Sequence, residues 1–397
     1  MSKLVKIFKF IFHLFLSPIL NLIWLLSSLF PRNKNLWVFG SWFGKSFSDN
    51  SMYLFKFVNE QDNEIKSIWL TRDRKLTKAI EEIGYKACYA FGIKGIAYSL
   101  RAGCFVTSCG MKDINPYFIG GAKYYELWHG TPLKSIGYDN KNENDLFNSL
   151  LRRLLCYRRK KPDLLFASSE EVKIKLMSGF KVEEDNVVVT GYPRCDILFQ
   201  NSLNNKNEDG NIDFIIGYFP TCRGRGFTNR SGIILRNILF KETEDLLDKI
   251  NGKLLIVYHV YNYKKNIETK LNSKRIEIIE RDLYFDPTII LRKIDVLITD
   301  YSSVFFDFLL LNRPIIFFPF DYEEFKEKIG FYYDYKELVP GPIASNWKEV
   351  LTYIKEFKEN PDLYGEKRRK INNQFNNFQD NGSTLRVYKA IKNNLEV

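Results

Sequence analysis

Residues 297–318 read LITDYSSVFFDFLLLNRPIIFF and contain a strand, a helix and a second strand in one short stretch. The apolar run that ends at Thr299 predicts a buried strand, and the run PIIFF at the end of the stretch predicts another. Between them, Ser302 or Ser303 is expected to cap a helix that continues to about Leu311. Strand, crossover helix and strand form the unit from which parallel sheets are built, so this stretch predicts an α/β fold.

The same alternation of short apolar runs and longer amphipathic segments extends over the chain from residue 36 onward. The runs predicted as strands upstream of a polar stretch are LWVFG (36–40), KSIWLT (66–71), ACYA (87–90), CFVTS (104–108), YYELW (124–128), LLFAS (164–168) and VVVTG (187–191). Those predicted downstream of it are DFIIGYFP (213–220), KLLIVYH (253–259), RIEII (275–279), DVLITD (295–300) and PIIFFPF (314–320). Buried strands that alternate with helices predict parallel sheets covered on both faces.

The polar stretch QNSLNNKNEDGN (200–211) lacks apolar periodicity and is predicted to be a linker. It divides the chain into an N-terminal Rossmann-like domain over 31–205 and a C-terminal one over 206–397, whose last helix can pack back on the first domain. Ligands of such sheets bind at the carboxyl ends of the strands. We therefore predict two doubly wound domains that face each other across a ligand-binding cleft.

Residues 1–30 form a separate, strongly apolar segment. Its polar residues recur at helical spacing along one side, and they are Lys3, Lys6, Lys9, His13, Ser17, Asn21 and Ser28. A polar stripe of this kind favours an amphipathic helix that lies in the membrane interface, with lysines toward anionic headgroups. A signal peptide, a transmembrane helix and an ordinary helix packed on a domain are the alternatives.

Composition indicates a folded protein with anionic partners. Hydrophobic residues make up 45% of the 397, enough for sizeable cores, and the formal net charge is +12. The alternative is a solvated basic surface without a specific partner. Six cysteines without a C-x-x-C spacing, together with only three histidines, argue against a zinc site and for free thiols in a reducing cytosol.

Two of the three histidines follow predicted strands. His129 comes directly after the run YYELW and shortly before Lys134, and His259 ends the run KLLIVYH in the other predicted domain. An imidazole at the ligand-facing edge of a parallel sheet can take up a proton near neutral pH. The alternative for a lone histidine is a structural role such as helix capping, but the placement of both residues at strand ends favours catalysis.

Several loops after strands carry groups that could bind phosphate. The helix that begins at Ser302 and Ser303 presents backbone N–H groups to an anion, although simple N-capping is the alternative. The loop GYFPTCRGRGF (217–227) contributes arginines, and GYPRCD (191–196) contributes Arg194, which could instead form only an ion pair. Asp307 is expected to be structural. Because the sequence has no P-loop, no H-E-x-x-H and no D-x-D clamp, a metal-independent reaction is the simpler inference.

Four of these motifs together resemble the CDP-glycerol glycerophosphotransferase family of teichoic-acid and capsule synthesis. They are WHGTPLK (128–134), GYPRCD (191–196), PTCR (220–223) and TDYSSVFFD (299–307), and Gly382, Ser383 and Arg386 resemble the family's late element. The resemblance covers roughly residues 36 to 390. It implies a GT-B fold on the cytoplasmic face of the membrane, where glycerol phosphate or another alditol phosphate moves from a CDP-linked donor to an acceptor hydroxyl and CMP is released.

The resemblance also implies roles for individual residues. His129 is the expected general base, and His259 is expected to hydrogen-bond the transferring phosphoryl group or the leaving CMP. The expected substrate-binding residues are Gly130, Thr131, Lys134, Arg194, Thr221, Arg223, Arg225, Thr299, Asp300, Tyr301, Ser302, Ser303 and Arg386. The implied partners are a CDP-alditol donor, a lipid-linked glycan acceptor and an anionic membrane surface, with no nucleic acid, no metal and no cofactor.

Two other functions compete with this one. A GT-B glycosyltransferase could use the same helix terminus for the pyrophosphate of a nucleotide sugar. A basic, membrane-bound scaffold or nucleic-acid binder would instead bind polyanions in a salt-dependent way and would not need either histidine.

Overall fold

The computed structural model describes residues 3–140, 146–200, 212–221, 223, 235–258, 273–279 and 285–396. The described residues form two separate parallel sheets, each flanked by helices. The predicted boundary at residues 205 and 206 lies in the stretch 201–211, outside the described residues.

The first sheet has the strand order β3-β2-β1-β4-β5-β6-β7. Its strands are β1 (Asn33–Gly40), β2 (Lys66–Thr71), β3 (Ala87–Tyr89), β4 (Ala102–Thr107), β5 (Lys123–Glu126), β6 (Leu164–Ala167) and β7 (Val187–Val189). The helices in this part of the chain are α1 (Lys3–Ser27), α2 (Asp49–Gln61), α3 (Arg74–Glu82), α4 (Ile93–Arg101), α5 (Leu146–Leu154) and α6 (Glu170–Phe180). The order reverses between β1 and β4, which marks a doubly wound sheet.

The second sheet has the strand order β10-β9-β8-β11-β12. Its strands are β8 (Phe214–Phe219), β9 (Gly252–Ile256), β10 (Ile276–Ile278), β11 (Val296–Thr299) and β12 (Ile315–Phe317). The helices are α7 (Phe240–Lys249), α8 (Pro287–Lys293), α9 (Val304–Phe308), α10 (Tyr322–Ile329), α11 (Tyr335–Leu338), α12 (Trp347–Glu359), α13 (Gly365–Phe375) and α14 (Ser383–Glu396). All pairings are parallel, so the prediction of two Rossmann-like α/β units is confirmed.

Each sheet is buried on both faces, as its apolar strands require. In β1, Trp37 and Phe39 enter one core cluster, whereas Leu36 and Val38 enter the cluster on the opposite face. Because side chains alternate along a strand, a run of consecutive apolar residues is fully buried only when helices cover both faces of the sheet.

The last helix, α14, leaves the second sheet and packs on the first. Val387 and Ile391 belong to the same core cluster as Trp37. Asp196 accepts hydrogen bonds from the backbone N–H groups of Ser383 (2.9 Å) and Thr384 (2.8 Å) at the start of this helix. The chain therefore crosses twice between its two sheets, once after β7 and once before α14.

Helix α1 is joined to the first domain at its carboxyl end. The guanidinium group of Arg32 donates hydrogen bonds to the backbone carbonyls of Ser27 (2.6 Å), Ser99 (2.6 Å) and Gly120. Asn21 donates to the carbonyl of Leu154 (2.9 Å). These contacts attach the helix to the domain surface by polar groups.

The polar stripe of α1 faces the protein at its carboxyl half, because Ser17 is buried and Asn21 contacts the segment after α5. The exposed large hydrophobic side chains of residues 11–30 are Ile11, Leu14, Phe15, Ile19, Leu22, Leu25, Leu26, Leu29 and Phe30. Within the residues that the structure describes, no helix combines the length and the apolar character needed to cross a bilayer. The predicted role at the membrane interface stays a prediction.

Candidate functional site

A cavity of about 970 Å³ opens where the carboxyl ends of the two sheets face each other. On the side of the first sheet it is lined by the loops that follow β1, β4 and β5. On the side of the second sheet it is lined by Thr221 after β8, by Ser302 and Ser303 after β11, and by the start of α8. This is the edge at which parallel sheets bind their ligands.

His129 lies in this cavity, two residues further from its strand than the sequence predicted. Strand β5 ends at Glu126, and Trp128 turns the chain with a positive φ of 60°. The Nδ1 atom of His129 is 3.0 Å from the backbone carbonyl oxygen of Ser108, the residue after β4. A carbonyl oxygen can only accept, so in the neutral ring Nδ1 carries the proton and Nε2 is the acceptor.

The surroundings of His129 favour the neutral ring. Burial lowers the pKa of His129 from its ordinary value of 6.5, although the carboxylate of Asp49 and the carbonyl of Ser108 oppose this effect. The indole rings of Trp128 and Trp42 lie 4.1 Å and 5.6 Å from the imidazole, measured between ring centroids. At neutral pH the imidazole is therefore a neutral base with Nε2 available for a proton.

The backbone around the cavity is strained at four positions. The non-glycine residues with positive φ there are Trp42 (43°), Phe43 (59°), Asp49 (68°) and Trp128 (60°). Each such residue costs roughly 1–3 kcal/mol and persists only where its surroundings hold it. All four line the cavity, so the strain is concentrated at the site.

Asp113 is the residue that holds two of these loops together. Its carboxylate accepts hydrogen bonds from the backbone N–H groups of Phe43 (2.7 Å), Ser108 (3.0 Å) and Cys109 (2.7 Å). Burial, reinforced by the nearby Glu126, raises the pKa of Asp113 to about 8, and the three N–H donors oppose this rise. Because Ser108 in turn binds His129, Asp113 positions the imidazole through one intervening residue.

Arg194 connects the two halves of the site. It is buried, and it forms ion pairs with Asp49 of α2 and Asp307 of α9, each at 2.8 Å. Gly130 leaves room for it, since a Cβ at that position would lie 2.8 Å from Nη2 of Arg194 and 3.2 Å from Oγ of Ser303. The predicted contact of Arg194 with substrate stays a prediction, and the structural role predicted for Asp307 agrees with this pair.

The loop after β8 is held by a second buried ion-pair group. Arg223 has a fully buried side chain that contacts Asp300 (2.7 Å) and Asp321 (2.7 Å). Asp300 also accepts hydrogen bonds from the N–H groups of Thr221 (2.8 Å) and Tyr301 (2.6 Å). These contacts align the ends of β8 and β11, where the order of the second sheet reverses.

The predicted site residues thus fall into three groups. Those that line the cavity are His129, Gly130, Thr131, Lys134, Arg194, Thr221, Ser302 and Ser303. Those outside the lining are Arg223, Thr299, Asp300, Tyr301 and Arg386, of which Arg386 pairs with Asp380 at 2.7 Å. His259 and Arg225 lie outside the described residues. For all of them the predicted contacts with substrate stay predictions.

Sequence reasoning missed Asp49, Asp113 and the basic residues Arg152 and Arg158, which line or support the cavity. Asp113 follows β4 as His129 follows β5, so its position after a strand is a signal that could have found it. No comparable signal marks Asp49, because its partner Arg194 is 145 residues away.

The chain resembles proteins of known activity over nearly its whole length. It is 28% identical over 370 residues to the teichoic acid glycerol-phosphate transferase of Staphylococcus aureus (strain NCTC 8325 / PS 47), covering 90% of this chain and 93% of that protein. It is 27% identical over 389 residues to the teichoic acid poly(glycerol phosphate) polymerase of Bacillus spizizenii (strain ATCC 23059 / NRRL B-14472 / W23), covering 91% of each.

A solved structure of the wall teichoic acid polymerase TagF has the same fold, with a TM-score of 0.76 and 20% identity over 99% of this chain and 98% of that one. The profile of one protein family matches residues 22–393. The resemblance carried by the four motifs is therefore confirmed, and the chain belongs to the CDP-glycerol:poly(glycerophosphate) glycerophosphotransferase family.

Proposed function

We propose that this protein transfers glycerol phosphate from CDP-glycerol to a hydroxyl group of an acceptor and releases CMP. The observation that carries the proposal is the imidazole of His129, fixed by Ser108 with Nε2 as its acceptor atom inside a cavity shared by both domains. Family membership supports the choice of donor, as does a solved structure of TagF obtained after a soak with CDPG. We assign the two facing sheets to the GT-B arrangement.

In the proposed reaction, Nε2 of His129 accepts the proton of the acceptor hydroxyl. The oxygen of that hydroxyl attacks the phosphorus that carries glycerol. A new phosphodiester bond forms, and the bond from that phosphorus to the oxygen of CMP breaks. General base catalysis contributes about 10²–10⁴-fold to such a step. Positioning and stabilisation of charge on the phosphate oxygens supply most of the remainder.

The donor phosphates are proposed to lie against the second domain. Ser302 and Ser303 are half-buried in the cavity wall and offer hydroxyl groups, and Lys134 lines the same cavity from the first domain. Arg223 acts indirectly in this proposal, because its ion pairs with Asp300 and Asp321 hold the loop that carries Thr221. His259, Arg225 and Arg386 remain proposed partners of the phosphates or of the leaving CMP.

The reaction is proposed to occur at the cytoplasmic face of the membrane, with a lipid-linked acceptor. The exposed apolar side chains of α1, among them Phe15 at 76% exposure, support attachment of this helix to the bilayer surface. The basic net charge supports binding to anionic headgroups.

The test is to supply the purified protein with CDP-glycerol, CDP-ribitol and a set of UDP- and GDP-sugars, with and without lipid-linked acceptors. The expected result is release of CMP with formation of a phosphodiester. His129→Ala is expected to lower this release by about 10²–10⁴-fold while the circular dichroism spectrum and melting temperature are retained.

A result in which UDP or GDP is released would contradict the proposal and identify a nucleotide-sugar glycosyltransferase. Near-wild-type release of CMP by a folded His129→Ala variant would contradict only the role assigned to this histidine and not the proposed reaction.

A further inference from the structure

The first turn of α2 contacts three of the loops that form the site. It consists of Asp49, Asn50 and Ser51, whose side chains are all buried, and we call it the α2 turn. Asp49 forms its ion pair with Arg194 in the loop after β7. The two residues that follow it, Asn50 and Ser51, contact the loops that carry and orient His129.

Asn50 uses both ends of its amide group. Its Nδ2 donates a hydrogen bond to the backbone carbonyl of Trp128 at 2.8 Å, and its Oδ1 accepts one from the backbone N–H of Arg194 at 3.0 Å. The carbonyl of Trp128 belongs to the peptide group that leads into His129. Asn50 therefore fixes the plane from which the histidine extends and ties it to the loop after β7.

Glu126 holds Trp128 from the other side. Its Oε1 accepts a hydrogen bond from the backbone N–H of Trp128 at 3.2 Å, while its Oε2 is fixed by the hydroxyl groups of Thr107 (2.6 Å) and Tyr124 (2.6 Å). The φ of Trp128 is 60°, a strained conformation that persists only where the surroundings hold it. Asn50 and Glu126 supply that hold, because they bind the peptide groups on the two sides of its Cα.

Ser51 holds the residue that orients the imidazole ring. Its backbone N–H donates a hydrogen bond to Oγ of Ser108 at 3.0 Å, and the hydroxyl oxygens of the two serines are 2.7 Å apart. The carbonyl of Ser108 is the group that contacts Nδ1 of His129. The α2 turn therefore fixes both the backbone of the histidine and the direction of its ring.

We propose that Asn50 and Ser51 are positioning residues, which keep Nε2 of His129 in the place and the tautomer in which it accepts the proton of the acceptor. Neither contacts substrate in the proposed reaction, so they act through Trp128 and Ser108. The inference rests on the proposed function for the identity of the reaction. The orientation of the imidazole, however, can be measured without any turnover.

The first test determines the tautomer of His129 by NMR in full-length protein made with isotope-labelled histidine. The chain has only three histidines, so the signal is assigned by its loss in His129→Asn. At about pH 8, where an imidazole is neutral, the wild type is expected to show one tautomer with the proton on Nδ1. In Asn50→Leu the ring should exchange between both tautomers, because it is no longer held against the carbonyl of Ser108.

Asn21→Leu is the matched control. The amide of Asn21 also donates to a backbone carbonyl, that of Leu154, and accepts from a backbone N–H, that of Cys156, each at 2.9 Å, but it lies in α1. This variant should keep the single tautomer even if its melting temperature falls as far as that of Asn50→Leu. Exchange between tautomers in both variants overturns the inference, and so does a single tautomer in folded Asn50→Leu.

Ser51→Ala decides the question if Asn50→Leu does not fold, because it removes only one hydroxyl group. Its control is Ser99→Ala, since Ser99 is a fully buried serine of α4 whose hydroxyl donates to the carbonyl of Gly95 at 2.8 Å. Exchange between tautomers in Ser51→Ala but not in Ser99→Ala supports the inference. A single tautomer in both overturns it.

Steady-state kinetics with CDP-glycerol and a water-soluble analogue of the acceptor test the consequence for catalysis. Asn50→Leu is expected to lower kcat about 10–10²-fold and to change KM for CDP-glycerol less than about twofold, because the base is displaced and the donor contacts are not. An unchanged kcat in a variant whose tautomers exchange overturns the positioning role. Loss of the single tautomer in Asn50→Leu supports the hold on His129 even where the wild type releases no CMP, and the failure then lies in the proposed function.

Discussion

Arg194 and Asp307 come from the two different domains and are joined beside the cavity by a buried ion pair of 2.8 Å. Arg194 follows the last strand of the first sheet, whereas Asp307 lies in the helix after β11 of the second. Asp49 completes the group from the first domain, so the arginine is neutralised by one carboxylate from each side. This contact joins the two domains beside the cavity.

Replacement Arg194→Met is expected to lower the free energy of unfolding by about 3–5 kcal/mol, because it leaves Asp49 and Asp307 as buried, unpaired carboxylates. Urea denaturation measures the change. The matched control is Arg275→Met, since Arg275 pairs with the solvent-exposed Asp248 and its loss should cost less than about 1 kcal/mol. Equal losses for the two variants would contradict the importance assigned to the buried group.

The rate of CMP release is expected to depend on pH through His129. Burial lowers the pKa of this imidazole below 6.5, so the ring is neutral and competent as a base above that value. Activity should therefore fall as the pH decreases below 6.5. A pH profile of kcat/KM checks this, and an acidic limb centred above pH 6.5 would contradict it.

The same shift makes a contribution to stability that, like the activity, declines as the pH falls. Below pH 6.5 the unfolded chain protonates His129 more readily than the folded protein does. The folded state therefore loses stability as the pH falls from 6.5 through the lowered pKa of the folded state. Over this pH range the wild type should lose more free energy of unfolding than the His129→Asn variant, as measured by urea unfolding at several pH values.

Asp113→Asn is expected to reduce kcat although Asp113 touches no substrate in the proposed reaction. The amide cannot accept all three N–H groups of Phe43, Ser108 and Cys109, and each lost acceptor costs about 1–3 kcal/mol. The carbonyl of Ser108 should then hold His129 less well. Since that hydrogen bond raises the pKa of His129, the acidic limb of the pH profile should move to lower pH.

Asp73→Asn is the control for this variant. Asp73 accepts backbone N–H groups of Lys75 (2.7 Å) and Leu76 (3.4 Å) at the start of α3, outside the cavity lining. The Asp73→Asn variant should lose stability, but the acidic limb of its pH profile of kcat/KM should not move. If Asp113→Asn behaves in the same way, Asp113 supports the fold and does not position the histidine.

Negative charge introduced on the exposed apolar face of α1 is expected to weaken binding of the protein to membranes. The double variant Phe15→Glu with Leu22→Glu is expected to bind anionic vesicles at least about tenfold more weakly, because two large apolar side chains can no longer enter the lipid. Flotation with vesicles measures this. Ile93→Glu, at a residue that is 90% exposed but lies on α4, should bind like the wild type.

The sequence was sufficient to predict the sheets, because most of their strands contain runs of consecutive apolar residues and a layered α/β fold buries both faces of such runs. It also located the loops of His129, Thr221, Ser302 and Ser303, which follow strands and meet in one cavity. The predicted helix after Ser303 ends its regular part at Phe308 and continues as a 3₁₀ turn to Leu311.

The environments of the arginines could not be predicted in the same way. Arg223 and Arg194 have the loop positions of phosphate ligands, but each meets carboxylates that are about a hundred residues away in sequence. Whether an arginine after a strand faces a ligand or an aspartate depends on the packing of the two sheets. Asp49 was missed for the same reason, since its partner Arg194 lies 145 residues away in the sequence.

The bonds from Arg32 to the carbonyls of Ser27, Ser99 and Gly120 have a consequence for the geometry of the whole protein. These bonds fix the end of the helix on the domain, so if α1 lies on the bilayer as proposed, the height of the cavity of His129 above the bilayer would also be fixed. Acceptors shorter than that height would be unable to reach the imidazole, and longer ones would have to bend. The fixed helix would therefore set a minimum length for the acceptor.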